Sequence, residues 1–162
     1  MELPKRKQIR LPDYDYSSPG VYFVTVCTAD RRCILSDIAV GAAISRPPEI
    51  RLTRYGEIVD LAIRNIPSVY PSVSVDHYVI MPNHVHLLLM IDASGGRPQV
   101  APTVSRAMKQ FKGAVTKRLG ASIWQKGFHD HVIRSESDFA HHLQYIDENP
   151  KKWLLGKDEY YA

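Results

Sequence analysis

The sequence predicts an α+β fold: a ferredoxin-like βαββαβ core with an antiparallel sheet, plus one further helix at the C-terminal side. Three observations carry this. Segments rich in β-branched and aromatic residues are interleaved with two segments of helical apolar spacing. A Pro82-Asn83 turn joins two of the strands into a hairpin. Ser135 followed by Asp138 then gives the start signature of a helix beyond the last strand. Strand, helix, strand, strand, helix, strand is the ferredoxin-like order, a scaffold that hosts many unrelated activities.

In chain order, residues 1–19 read as a basic arm, with Lys5, Arg6, Lys7 and Arg10, ending at Ser17-Ser18-Pro19-Gly20. Val21 to Thr28 is the first strand. Residues 29–53 form an irregular excursion with short strands, broken by Gly41 and Pro47-Pro48. Arg54 to Ile66 is a helix on the spacing of Ile58, Leu61 and Ala62, closed by Pro67. Val73 to Met81 and His84 to Ile91 are the hairpin strands, followed by a loop at Gly95-Gly96 and Pro98. Thr103 to Leu119 is the clearest helix: Val104, Met108, Phe111, Val115 and Leu119 form one apolar stripe, with Arg106, Lys109, Gln110 and Lys117 opposite. Phe128 to Arg134 is the last core strand. Ser135 to Asn149 is the final helix, ending ahead of Pro150.

A length of 162 residues fits a single domain spanning 1–162. The 44% hydrophobic and 23% charged residues are the balance of a soluble globular protein. No apolar run approaches a membrane span, and Met1 to Arg10 lacks a signal-peptide stretch, so the expectation is a cytoplasmic protein with no membrane partner. Two cysteines, Cys27 and Cys33, are too few for a disulfide framework. The net charge of +4 is mild, but no acidic residue occurs from Ala93 to His129, a stretch holding Arg97, Arg106, Lys109, Lys112, Lys117, Arg118 and Lys126. Cations clustered in this way suit a phosphate backbone, although a solvated helix face has the same look.

His84 and His86 alternate on a strand, so both imidazoles share one face and can hold a divalent metal. A bare His-x-His is more often a pair of surface histidines; here it opens the apolar run Leu87 to Ile91. In the final helix, Phe139, Leu143 and Ile146 make the core stripe. Asp138, His141, His142, Tyr145 and Asn149 gather on an adjoining face. Tyr145 and Asn149 lie four residues apart, neighbours on a helix, a spacing that suits a nucleophile beside a third metal ligand. The bland alternative is a boundary tyrosine and a helix-ending asparagine. A tyrosine hydroxyl is a poor nucleophile at its usual pKa of about 10. A metal on the histidines would polarise a phosphodiester and stabilise the charge that builds on it. No dedicated general base stands out; His141 and His142 are the nearby titratable groups.

Together these residues resemble the HUH single-tyrosine transposases, in particular the REP-associated or IS200-like group. The resemblance runs through Tyr16 to Cys27, Tyr78 to His86, Ile123 to Phe128, Asp130 to Arg134 and Tyr145 to Trp153. It implies Mg²⁺ or Mn²⁺ held by His84, His86 and Asn149, with Tyr145 as the nucleophile. It also implies a 5′-phosphotyrosine link, a free 3′-hydroxyl, and single-stranded or hairpin DNA as substrate. Arg106, Lys109, Lys112 and Lys117 are then candidate backbone contacts, and Trp124 a candidate base-stacking residue that would equally serve in the core. Members of the broader family act as homodimers that exchange tyrosine helices or as monomers, and the sequence leaves that choice open. The extra C-terminal DNA-binding element of longer relatives is not expected after the tyrosine helix. Two alternatives stand beside the DNA strand-transferase reading. One is a non-catalytic nucleic-acid-binding module on the same scaffold; the other is a nuclease domesticated to a host role.

Overall fold

The computed structural model describes residues 20–40, 46–92 and 104–160. The basic arm at 1–19, the Gly95-Gly96-Arg97-Pro98 loop and Thr103 lie outside the described residues. The elements are β1 (Gly20–Cys27), a 3-10 turn (Ala29–Arg31), β2 (Ser36–Ala39), β3 (Glu49–Leu52), α1 (Arg54–Val69), β4 (Val73–Ile80), β5 (His84–Ile91), α2 (Val104–Leu119), β6 (His129–Ile133) and α3 (Glu136–Leu154).

Four strands form the main sheet in the order β4-β5-β1-β6, every neighbouring pair antiparallel. With α1 and α2 as the crossovers, this is the ferredoxin-like core that the element order predicts. The irregular excursion holds a separate hairpin, β2–β3.

Side chains alternate between the two faces along each central strand. Tyr22, Val24 and Val26 of β1 and Val85, Leu87, Leu89 and Ile91 of β5 bury one face. They pack with Val59, Ile63 and Ile66 of α1 and Met108, Phe111 and Val115 of α2. The other face carries Val21, Phe23 and Leu88, and α3 covers it with Phe139, Leu143, Ile146 and Trp153. His84 and His86 share that second face by strand parity, one residue out of step with Val85 and Leu87.

Local chemistry explains the helix starts. Thr53 Oγ1 accepts from the Gly56 N–H at 3.2 Å and caps α1. Gly56 is required there for another reason: a Cβ at this position would lie 2.0 Å from the Leu35 carbonyl oxygen. Ser135 Oγ accepts from the Asp138 N–H at 3.1 Å and starts α3 where the signature places it.

Both helix ends are later than predicted. α1 passes through Pro67 to Val69, with the Tyr70 N–H closing on the Ile66 carbonyl at 2.9 Å. α3 passes through Pro150 to Leu154, so Asn149 is an interior helical residue and not the last one. A proline in a helix interior costs about 3 kcal/mol through its lost hydrogen bond and ring clash. In α3 the continued helix buries Pro150 and brings Trp153 onto Val79, Met81 and Leu88, a large apolar burial that offsets this cost.

Candidate active site

The site lies under α3 at the start of β5. Met81 N–H donates to the His84 carbonyl at 2.8 Å, closing the tight turn that places His84 first in the strand. Both imidazoles are fully buried, with His84 and His86 each at 0% exposure and their ring centroids 4.6 Å apart.

Each ring is held from its Nδ1 side. His84 Nδ1 lies 2.7 Å from Asn83 Oδ1, and His86 Nδ1 lies 2.7 Å from Oγ1 of Thr25, its cross-strand partner. The Asn83 amide is oriented by its own donation from Nδ2 to the Tyr160 carbonyl at 2.8 Å, so Oδ1 is the atom that meets His84. That acceptor fixes the single proton of a neutral imidazole on Nδ1 and leaves Nε2 as a lone pair. His84 Nε2 then faces Asn149 Oδ1 at 3.2 Å, an acceptor opposite an acceptor. His86 Nε2 is buried with no hydrogen-bond partner among the described residues.

Burial disfavours the charged forms. It brings the His84 pKa down to about 4, opposed by the Asn149 contact and aided by the Arg31 charge. Burial, with His84 and His142 adding to it, holds His86 well below the usual histidine range. Both rings are therefore neutral at physiological pH, the state a metal ligand needs.

Tyr145 of the same chain projects from α3 into this space. Its ring lies 5.3 Å from His86 and 5.8 Å from Phe23, centroid to centroid. Asn149, one turn further along, is fully buried against His84. The structure thus brings together the four residues the sequence singles out: His84, His86, Tyr145 and Asn149.

The sequence reading did not anticipate a C-terminal strap. After α3 the chain turns back, and the Tyr160 ring sits 4.6 Å from His84 and 5.7 Å from His86. The Tyr145 hydroxyl donates to Glu159 Oε1 at 2.8 Å. Burial, then the Glu159 hydrogen bond and charge, push the Tyr145 pKa far up and keep its proton in place. Burial also takes the Tyr160 pKa to about 12. The neighbour nearest the tyrosine proton is therefore Glu159. His141 is exposed, and His142 is engaged with Asp138.

The cationic candidates fall differently. Arg106, Lys109 and Lys117 are exposed on α2, but α2 covers the apolar face of the sheet, opposite the histidines. Lys112 donates its ammonium to the Gln125 and Gly127 carbonyls at 2.7 and 2.8 Å, so it ties down the loop before β6 and does not point outward. Trp124 is 6% exposed and packs on Phe111 at 5.6 Å, which makes it a core residue with no face to offer a base. On the site's own face, Lys152 lies 4.9 Å above the Tyr145 ring, and Lys157 lines a cleft with Tyr145 and Glu159. Arg31, whose charge acts on His84, sits in a turn where Asp30 and Arg31 both take left-handed φ values of 55° and 52°. Such strain in non-glycine residues gathers at functional sites.

No family model matches the chain. It is 32% identical to an uncharacterized protein of Haemophilus influenzae, covering 91% of this chain and 89% of that one. It is 27% identical to the REP-associated tyrosine transposase of Escherichia coli, over 85% of this chain and 70% of the relative. Among solved structures it is similar to a REP-associated tyrosine transposase bound to a REP hairpin. That match has a TM-score of 0.64 and 26% identity, covering 88% of this chain and 73% of the other. The chain thus resembles the REP-associated tyrosine transposases in both sequence and fold. The likeness to these transposases and the ferredoxin-like core agree with what the residues imply. Among the described residues, no helix is long and apolar enough to cross a membrane.

Proposed function

We propose that this transposase cuts and rejoins single-stranded or hairpin DNA, using Tyr145 as nucleophile and a divalent metal, Mg²⁺ or Mn²⁺, held by His84, His86 and Asn149. The observation that carries the reading is the donor set. Two neutral imidazoles are held through Nδ1, His86 Nε2 is buried with no hydrogen-bond partner among the described residues, and Asn149 Oδ1 faces His84 Nε2. A cation among these three atoms would relieve the acceptor-to-acceptor contact and satisfy the orphaned nitrogen. Bound there, the metal supplies Lewis-acid stabilisation of a phosphate.

The chain's own residues do the rest. Tyr145 Oη attacks the phosphorus, the bond from phosphorus to the 3′-oxygen breaks, and the leaving oxygen takes up a proton as the free 3′-hydroxyl. The 5′-phosphate stays on Tyr145, so the bond energy is kept for rejoining by the reverse attack of a 3′-hydroxyl. Glu159, 2.8 Å from the hydroxyl, is placed to receive the tyrosine proton. Lys152 and Lys157 place positive charge where the phosphate would arrive. Because Tyr145 reaches the histidines of its own chain, a monomer suffices for this chemistry. Tyr160 occupies the space over both imidazoles, so the strap and a phosphodiester compete for one position. The hairpin bound to the structural relative supports a hairpin substrate here.

The test is a covalent adduct between the full chain and a REP-type hairpin oligonucleotide in Mn²⁺ or Mg²⁺, resolved on a denaturing gel. The adduct is expected to form, to vanish with EDTA, and to be lost in Tyr145→Phe. An undiminished adduct in Tyr145→Phe overturns the nucleophile. Salt-sensitive hairpin binding with no cleavage in either metal would point instead to a non-catalytic binding module.

A further inference from the structure

A second cluster of ligating side chains lies where the first turns of α3 meet β6, apart from the ligand set proposed above. His131 projects from β6, and Asp138 and His142 stand one turn apart in the first turns of α3. His131 Nε2 lies 2.9 Å from Asp138 Oδ2 and 3.2 Å from Oδ1. His142 Nδ1 lies 3.1 Å from Asp138 Oδ1 and 2.9 Å from the Asp138 carbonyl. The imidazoles are stacked, with centroids 4.6 Å apart and planes 17° from parallel. The three ligand atoms all lie within 4.8 Å of one another.

We infer that His131, Asp138 and His142 form a second metal site, selective for a borderline transition-metal cation such as Zn²⁺ or Co²⁺, which pins the tyrosine-bearing helix to β6. Three arguments support it. Two imidazoles and one carboxylate, like other mixed nitrogen and oxygen sets, bind Zn²⁺ or Co²⁺ more tightly than Mn²⁺ or Mg²⁺. On a tetrahedral ion with ligand bonds near 2.1 Å, ligand atoms sit about 3.4 Å apart; both histidine–Asp138 pairs are close to that spacing, and the two imidazoles lie within 4.8 Å of each other. The carboxylate is preset as well: Asp138 accepts from the Arg134 N–H at 3.1 Å, so one backbone contact orients it before any ion arrives.

A cleft of about 220 Å³ beside His131 and His142 gives an ion and its remaining water ligand a way in. Its ligands are distinct from those under Tyr145; the Phe23 ring contacts both sets, 4.7 Å from His142 and 5.1 Å from His86. The metal would take the place of the protons now shared between the imidazoles and Asp138. Its consequence is mechanical: β6 and the first turns of α3 become one rigid unit, with Tyr145 three residues beyond His142.

Zn²⁺ titration of the EDTA-stripped full chain tests this, with bound metal counted after equilibrium dialysis and the melting temperature followed. The chain is expected to bind two equivalents of Zn²⁺, and His131→Gln, an exposed position, only one. The His84→Ala/His86→Ala double variant should keep one equivalent, and Zn²⁺ should raise its melting temperature while equimolar Mg²⁺ does not. Co²⁺ in the same variant should give visible absorption that disappears with His142→Gln. Two equivalents still bound by His131→Gln, or a wild-type chain that takes up one equivalent lost with His84 and His86, overturns the site. If the double variant fails to fold, the comparison of wild type with His131→Gln decides alone. The nuclease reading is untouched by either result, because adduct formation is scored separately.

Discussion

Two faces of the same strand pair do opposite work. Tyr22, Val24, Val26, Val85, Leu87 and Leu89 make one face of β1 and β5, wholly apolar and closed by α1 and α2. One residue out of step, Thr25, His84 and His86 put fully or nearly fully buried polar groups on the other face, under α3. Burial serves different ends on the two sides. On the first it contributes stability. On the second it strips water from histidines and so keeps them neutral, leaving an Nε2 with no partner. A period of two lets one strand carry both functions without either disturbing the other.

That division predicts a crossed result, the largest expected effect. Leu87→Ala should cost about 2–5 kcal/mol of stability, measured by urea unfolding, while adduct formation persists wherever the variant is folded. His86→Leu should abolish metal-dependent cleavage yet stay within about 1 kcal/mol of the parent, because it removes an unsatisfied buried nitrogen. A strongly destabilised His86→Leu would show that the polar face also holds the fold together.

The next effect is on pH. The folded His84 pKa of about 4 lies below its unfolded value near 6.5, so between these the unfolded chain binds more protons. The sign follows: this contribution is complete above pH 6.5 and is lost as pH falls towards 4. It is on the order of 3 kcal/mol. Melting of the metal-free chain should therefore steepen in acid over that interval, and His84→Ala should flatten it. A metal-free profile with no slope there would contradict the neutral, buried imidazole.

The strap gives a smaller change of opposite direction. Tyr160→Ala should raise the cleavage rate about tenfold, or about 1.4 kcal/mol, by clearing the space over the histidines. A slower variant would mean that Tyr160 assists the reaction. The smallest effect belongs to the cap. Ser135→Ala should cost about 1 kcal/mol and loosen the start of α3, with hydrogen exchange rising there first and the α1/α2 side unchanged.

Much of this was legible in the residues. β5 begins at His84 and ends at Ile91, as the apolar run implies, and Ser135 caps α3 as its spacing implies. The pairing of His84 and His86 on one face needs only strand parity. The missed parts depend on tertiary placement. Thr25 becomes the partner of His86 through the β1–β5 register, which separates them by 61 residues in sequence. Pro150 reads as a stop because its local cost is visible, whereas the compensating burial of Trp153 is not. Lys112 and Trp124 look like ligand-facing residues in a basic stretch, and only the packed loop shows that one tethers carbonyls and the other fills the core. Glu159 and Tyr160 follow the last helix with no motif, so no local signal marks them.

Tyr145 and Asn149 stand on consecutive turns of one continuous helix, and no hinge lies between them. Any displacement that withdraws the hydroxyl from the histidines withdraws the amide oxygen with it. In the proposed mechanism, ion retention and nucleophile alignment are therefore linked: a DNA strand that tightens ion binding through this helix is itself bound more tightly, by the same factor, when the ion is present. A substitution far along α3 that only tilts the helix should register first as weaker metal affinity. A binding titration on the resting protein can thus report how well the reactive oxygen is aimed, before any DNA is added.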